Sequence, residues 1–175
     1  EIQVSRPSIN SCFADFKAEK NKIFYGLGAI KNVGFEAVSN IVNEREKKGK
    51  FKSLNDFVNR VDPKDVNKLQ LEGLVKSGAL DEFEKNRQKL LLSIPKIIQK
   101  IKNVNEDKIN NQSSLFGDED GLNIENLELE KANNWSKKEL LLEEFKSLGF
   151  YISDHPLNEY KEIFNQLRII SYKDF

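Results

Sequence analysis

Apolar residues recur at helical spacing along most of the chain. Residues 35–48 place Ala37, Val38, Ile41 and Val42 on one face, and Gly49 stops the pattern. Ser53 and Asp56 open a short helix carrying Leu54, Phe57, Val58 and Val61, which Asp62-Pro63 interrupts. Asn67 and Gln70 have capping-box spacing ahead of Leu71, Leu74 and Val75, and Ser77-Gly78 ends that helix. A longer helix is predicted over residues 83–102, with Leu90, Leu91, Ile94, Ile98 and Ile101 on one face. Pro95 lies inside it, lacks a backbone donor, and is expected to kink or break it. Ser136 with Glu139 opens a helix bearing Leu140, Leu141, Phe145 and Leu148, and Pro156 starts a last one bearing Leu157, Tyr160, Ile163, Phe164 and Leu167.

Two stretches depart from that spacing. Residues 13–18 and 22–25 are short apolar-rich runs around the polar Glu19-Lys20-Asn21, which reads as a β-hairpin. Residues 103–134 lose all periodicity to Asn, Asp, Glu and Ser, which reads as an exposed flexible linker. The predicted fold class is mainly α, with an N-terminal β-hairpin, helices, a flexible linker and C-terminal helices.

Composition narrows the function. The 175 residues hold 28 basic and 28 acidic side chains, one Cys, one His and no Met. A missing Met in a chain of this length leads us to expect an interior piece of a longer protein. No apolar run reaches the ~20 residues of a membrane span, and nothing resembles a signal peptide, so neither membrane nor secretion is expected. The lone Cys12 has no partner for an internal disulfide, in keeping with a reducing cytoplasm. With Cys12 and His155 as the only residues of their kinds, a zinc cluster or a Cys/His nucleophilic pair lacks members. His155, in Ser-Asp-His-Pro, reads as a cap or loop residue, and the carboxylates are scattered among lysines. No catalytic residue and no metal ligand is expected. The neutral total is a sum of unlike parts: residues 17–50 carry eight bases against four acids, residues 83–108 seven against three, and residues 112–130 six acids and no base.

Two motifs carry candidate chemistry. Ile30-Lys31-Asn32-Val33-Gly34 ahead of a helix has the form of a helix-hairpin-helix turn, in which successive backbone amides can bind a DNA phosphate without sequence preference. Lys31, Asn32, Val33 and Gly34 are the candidate DNA contacts, with Lys47 and Lys48 adding salt-sensitive attraction. A second turn, Lys76-Ser77-Gly78-Ala79-Leu80, supplies Ser77 and Gly78 as further candidates, though Asp81 and Glu82 follow it and its part is expected to be largely structural. In the polar stretch, Gln112-Ser113-Ser114-Leu115-Phe116 sets two bulky apolar residues where no periodic face buries them. Leu115 and Phe116 suit a pocket on another protein, and Gln112 adds an orienting amide. This Q-x-x-L-F spacing resembles the pentapeptide by which bacterial polymerases and repair proteins bind the sliding clamp.

Taken together the motifs resemble one family, the α subunit of bacterial DNA polymerase III, beyond its catalytic palm and fingers. Tyr25-Gly26-Leu27-Gly28-Ala29-Ile30-Lys31-Asn32-Val33-Gly34 resembles the entry to that family's tandem helix-hairpin-helix region, and residues 71–80 resemble the helix and turn that follow. Gln112 to Phe116 falls where the family has its internal clamp-binding motif. Leu148-Gly149-Phe150-Tyr151-Ile152-Ser153-Asp154-His155-Pro156-Leu157 resembles the segment before its oligonucleotide-binding domain, with Asp154 in place of the usual Gly. The resemblance implies five parts: the end of the fingers with the β-hairpin over 1–25, a tandem helix-hairpin-helix domain over 26–82, a helix over 83–102, a linker with the clamp motif over 103–134, and helices leading to the oligonucleotide-binding domain over 135–175. It further implies duplex DNA, the sliding clamp and other replicase subunits as partners, and a parent polymerase that uses Mg2+ outside this segment. Two readings stay open beside it: a stand-alone DNA-binding adaptor, and a purely structural helical piece in which both hairpins are only turns.

Overall fold

The computed structural model describes residues 2–109 and 127–169. The expected hairpin is present as β2 (Lys17–Glu19) and β3 (Lys22–Phe24), antiparallel, with Lys17 opposite Phe24 and Glu19 opposite Lys22. Lys20 closes the turn with φ 53, the left-handed conformation that tight hairpin turns require. Residues 13–16 are not strand; Phe13 instead bridges Gly26, and its carbonyl accepts from Leu27 N–H. A third strand, β1 (Gln3–Val4), runs parallel to β3 and was not foreseen, because two exposed residues carry no period-two signal.

The helices follow the caps. α1 (Phe35–Lys48) ends at Gly49, φ 83. α2 (Leu54–Arg60) begins at Ser53, whose hydroxyl accepts from Asp56 N–H. A 3-10 turn at Pro63–Asp65 leads into α3 (Lys68–Lys76), opened by the reciprocal Asn67/Gln70 capping box. α4 (Arg87–Ile109) departs from expectation at both ends and in the middle. It starts at Arg87 because the Asn86 side chain caps it, accepting from Lys89 N–H at 3.0 Å. It runs unbroken through Pro95, whose ring is exposed. The cost of an internal proline, ~3 kcal/mol, is outweighed by Leu90, Ile94, Ile97 and Ile101, all fully buried and each worth roughly 1.5–3 kcal/mol.

The linker expected over residues 103–134 is corrected on both flanks. Residues 103–109 continue α4, and residues 127–134 lie fixed along it: Glu130 N–H donates to Ser93 Oγ, Asn86 Nδ2 to the Ala132 carbonyl, and Lys96 pairs with Glu130 at 2.8 Å. Leu127 and Leu129 pack against the core there. α5 (Lys137–Leu148) opens with the Ser136/Glu139 capping box and ends at Gly149, φ 85. His155 caps the 3-10 turn Pro156–Tyr160 through Nδ1, and α6 (Lys161–Gln166) follows with no buried residue. Among the described residues no helix is long and apolar enough to cross a membrane. One core joins the hairpin region to α1 through α4, with Tyr25, Leu27, Ile30, Phe57, Leu71, Leu74 and Leu80 among its buried members.

Candidate nucleic-acid interface

The turn ahead of α1 is built from the inside outward. Leu27 and Ile30 are buried and fix a 3-10 turn at Leu27–Ala29. Val33 N–H returns to the Ile30 carbonyl at 3.0 Å, and Asn32, at φ 66, takes the left-handed position that lets the loop close in four residues. Val33 is anchored in the core, while Lys31, Asn32 and Gly34 are exposed. Gly34 is the N-cap of α1 and offers no side-chain acceptor. The backbone amides of Asn32, Gly34, Phe35 and Glu36 therefore find no hydrogen-bond acceptor among the described residues. They stand at the positive end of a 14-residue helix, the arrangement that favours an anion.

Two contacts fix this turn from outside. Gly73 of α3 faces the Lys31 carbonyl so closely that a Cβ there would stand 2.7 Å from it. Lys31 N–H donates to the Ser147 carbonyl in the last turn of α5 at 2.9 Å. α5 is itself held by Glu144, fully buried, whose Oε1 accepts from Ile152 and Ser153 N–H at 2.8 and 2.9 Å. Its Oε2 makes no hydrogen bond and lies 3.9 Å from Arg87 Nη1. Gly73, Ser147 and Glu144 were all missed by sequence reasoning. An isolated glycine inside an amphipathic helix was the one available signal, since such a glycine usually marks close packing.

The remaining basic candidates do not converge on the turn. Lys47 and Lys48 sit at the other end of α1, roughly 20 Å from Gly34 by helical rise, and Lys48 is paired with Glu44 at 3.1 Å. Lys17 is paired with Glu19, and Arg45 is turned inward to the Ile9 and Cys12 carbonyls, with burial pulling its guanidinium below its ordinary pKa. Among the basic candidates named from the sequence, Lys31 is thus the one exposed beside the free amides. Ser77 and Gly78 are placed in the interior. The Ser77 hydroxyl donates to the Leu74 carbonyl, and both amides are used, by the Gly73 and Val75 carbonyls. Gly78 has φ 83 and lies under the Arg87 guanidinium, which forks onto Asp81 at 2.7 and 2.8 Å. The second turn therefore ends α3 and seats Arg87, and its amides are not free for a phosphate.

Gln112, Leu115 and Phe116 lie outside the described residues. The flanks of that stretch are described, and both return to α2: Lys108 Nζ donates to the Asn59 carbonyl and Leu127 N–H to Asn55 Oδ1. Asn55 and Asn59 are one helical turn apart. No group of three His, Cys, Asp or Glu side chains that could hold a metal exists among the described residues.

The family model described as "Helix-hairpin-helix motif" matches residues 1–90. Among curated relatives, the DNA polymerase III subunit alpha of Caulobacter vibrioides is 39% identical over 158 residues, covering 90% of this chain and 14% of its own length. The subunit of the same name from Borreliella burgdorferi is 38% identical over 176 residues, 97% of this chain and 15% of its own, and that from Campylobacter jejuni 36% over 179, 99% and 15%. The chain spans about one seventh of the length of these relatives. The chain belongs to the helix-hairpin-helix family and is, over nearly its whole length, a counterpart of one segment of the bacterial DNA polymerase III α subunit.

Proposed function

We propose that this chain is a non-catalytic segment of a replicative DNA polymerase, which holds the backbone of duplex DNA and tethers the enzyme to the sliding clamp for processive replication in the bacterial cytoplasm. The observation that carries the reading is the set of unpaired amides of Asn32, Gly34, Phe35 and Glu36 at the N-terminus of α1, with Lys31 exposed beside them. A phosphate accepts hydrogen bonds from such amides whatever base it carries, as a polymerase moving along any sequence requires. Nucleotidyl transfer and its Mg2+ fall to other parts of the parent chain.

Gln112, Leu115 and Phe116 supply the clamp contact in this reading. Both flanks of their segment are seated on α2, in the same core as the hairpin, so the two grips act on one body. Joining them raises the effective concentration of each at its target, and weak contacts then sum to long residence.

The test is binding of a labelled duplex by fluorescence anisotropy across a salt series. Affinity should fall steeply with salt. Gly34→Ala, whose methyl at an ordinary φ of −74 would press on Gln70 Nε2 at 3.2 Å at the start of α1, combined with Lys31→Glu should weaken it at least tenfold. Salt-independent binding, or no effect of that pair, refutes the backbone grip. Leu115→Ala with Phe116→Ala should abolish binding to purified clamp and leave duplex affinity intact; unchanged clamp binding refutes the tether.

A further inference from the structure

Phe35, the first residue of α1, stands exposed beside the free amides, Phe16 stands exposed over the glycine turn that precedes them, and gripping a phosphate gives neither ring a task. Phe35 is 56% exposed and Phe16 51%. Single exposed apolar residues are ordinary; the placement of these two is not. Each lies over a glycine of one short turn: a Cβ on Gly28 would come within 2.8 Å of the Phe35 ring, and a Cβ on Gly26 within 3.0 Å of the Phe16 ring. Phe16 is also held edge-on by the buried Tyr25, at 5.0 Å between centroids. Both rings are thus fixed before a ligand arrives, so little side-chain entropy remains to be lost on binding.

Phe35 is the first residue of α1, and its own N–H is one of the unpaired donors. An anion held there lies against its side chain. When that anion is a DNA phosphate, a deoxyribose is attached on each side of it, and the C–H face of the sugar is apolar. We propose that Phe35, with Phe16 over the same glycine turn, packs on the deoxyribose next to the phosphate held by the hairpin amides of a bound duplex. The proposal rests on the backbone-grip reading and adds to it a part of binding that salt does not screen. Counterion release governs the phosphate contacts, whereas apolar packing follows the area removed from water.

The two parts separate in a salt series with the 175-residue chain and a labelled blunt duplex. Phe35→Ala should weaken binding about fivefold at every salt concentration, the order expected for losing half of a buried Phe side chain, with the slope of log affinity against log salt unchanged. Phe35→Leu should restore most of the loss, because an aliphatic side chain still packs on a sugar. Phe16→Ala should weaken binding about twofold. Lys31→Ala should instead reduce the slope by about one. If Phe35→Ala changes nothing while Lys31→Ala and Gly34→Ala weaken binding, the sugar contact is overturned and the backbone grip stands. If Leu fails to rescue and the wild type prefers single-stranded over duplex DNA, the ring stacks on an unpaired base, and the sugar contact is again overturned. If none of these variants, nor salt, alters binding, the backbone grip falls with it. Thermal melts of the Phe35 variants, unchanged for a half-exposed side chain, separate lost contact from lost fold.

Discussion

Gly73→Ala sets two opposing effects against each other at the joint between α3 and the turn that precedes α1. In an exposed helix the change stabilises by about 1 kcal/mol, because alanine is the better helix former. Here the new methyl would stand 2.7 Å from the Lys31 carbonyl and 2.9 Å from Val33 Cγ2, closer than Cβ atoms come to backbone. Overpacking of that kind costs about 2–3 kcal/mol when backbone must move. The net loss is about 1–2 kcal/mol, and for a chain of this size the melting temperature should drop about 2–8 °C. The displaced carbonyl belongs to the residue whose N–H binds Ser147, so the hairpin cannot yield without disturbing the amides beyond it. Duplex affinity should therefore fall along with stability. Gly49→Ala is the control: with φ 83 and nothing within 4 Å of its Cβ, it should cost about 1 kcal/mol from backbone strain and leave duplex affinity alone. Calorimetry and anisotropy on the two variants decide the matter. A melting temperature that rises in Gly73→Ala, or a duplex affinity that matches the wild type, would refute the reasoning.

Two further outcomes follow from the charged groups. Arg87→Ala removes the cation between Asp81, the Lys76 carbonyl and the buried Glu144 and should cost about 3–5 kcal/mol in urea unfolding; a loss under 1 kcal/mol contradicts the role given to Arg87. Acid should loosen the N-terminal ends of α4 and α5. Glu84 is held below its ordinary pKa by the Asn86 amide and then by Lys89, Glu139 by the Ser136 hydroxyl and amide, and Asp154 by Lys137 and then Asn158. Each folded pKa lies below its unfolded value, so this stability is fully present above about pH 4.5 and is lost as pH falls through the folded values. The urea midpoint of Glu139→Gln should accordingly vary less between pH 6 and pH 3 than that of the wild type; equal slopes would count against the Glu139 carboxylate as a source of the pH dependence.

What the sequence disclosed was mostly local. The caps at Ser53, Asn67 and Ser136 are signals a few residues long, and each sets a helix start where it was expected. Asn86 carries the same signal but was passed over, because the apolar and charged residues before it extended the helical pattern backward. Leu127 and Leu129 alternate in an acidic stretch and were taken for linker, although alternation is what a half-buried extended segment shows. The hairpin turn was legible from its glycine and its polar tip. The burial of Ser77 and Gly78 was not, since it depends on Arg87 folding back over them. Nor does any spacing rule connect Lys31 to Ser147 or Glu144 to Ser153, contacts that exist only once α5 has packed.

The bond from Lys31 to Ser147 also fixes an order of events during synthesis. Ser147 follows Lys31 by 116 residues, and at cellular elongation rates the acceptor leaves the ribosome roughly 6–23 s after the donor. Throughout that interval the turn can rest against Gly73 of α3 but lacks its bond to α5. A nascent chain therefore carries the turn on its local contacts first, and gains the second fastening only after α5 has been made.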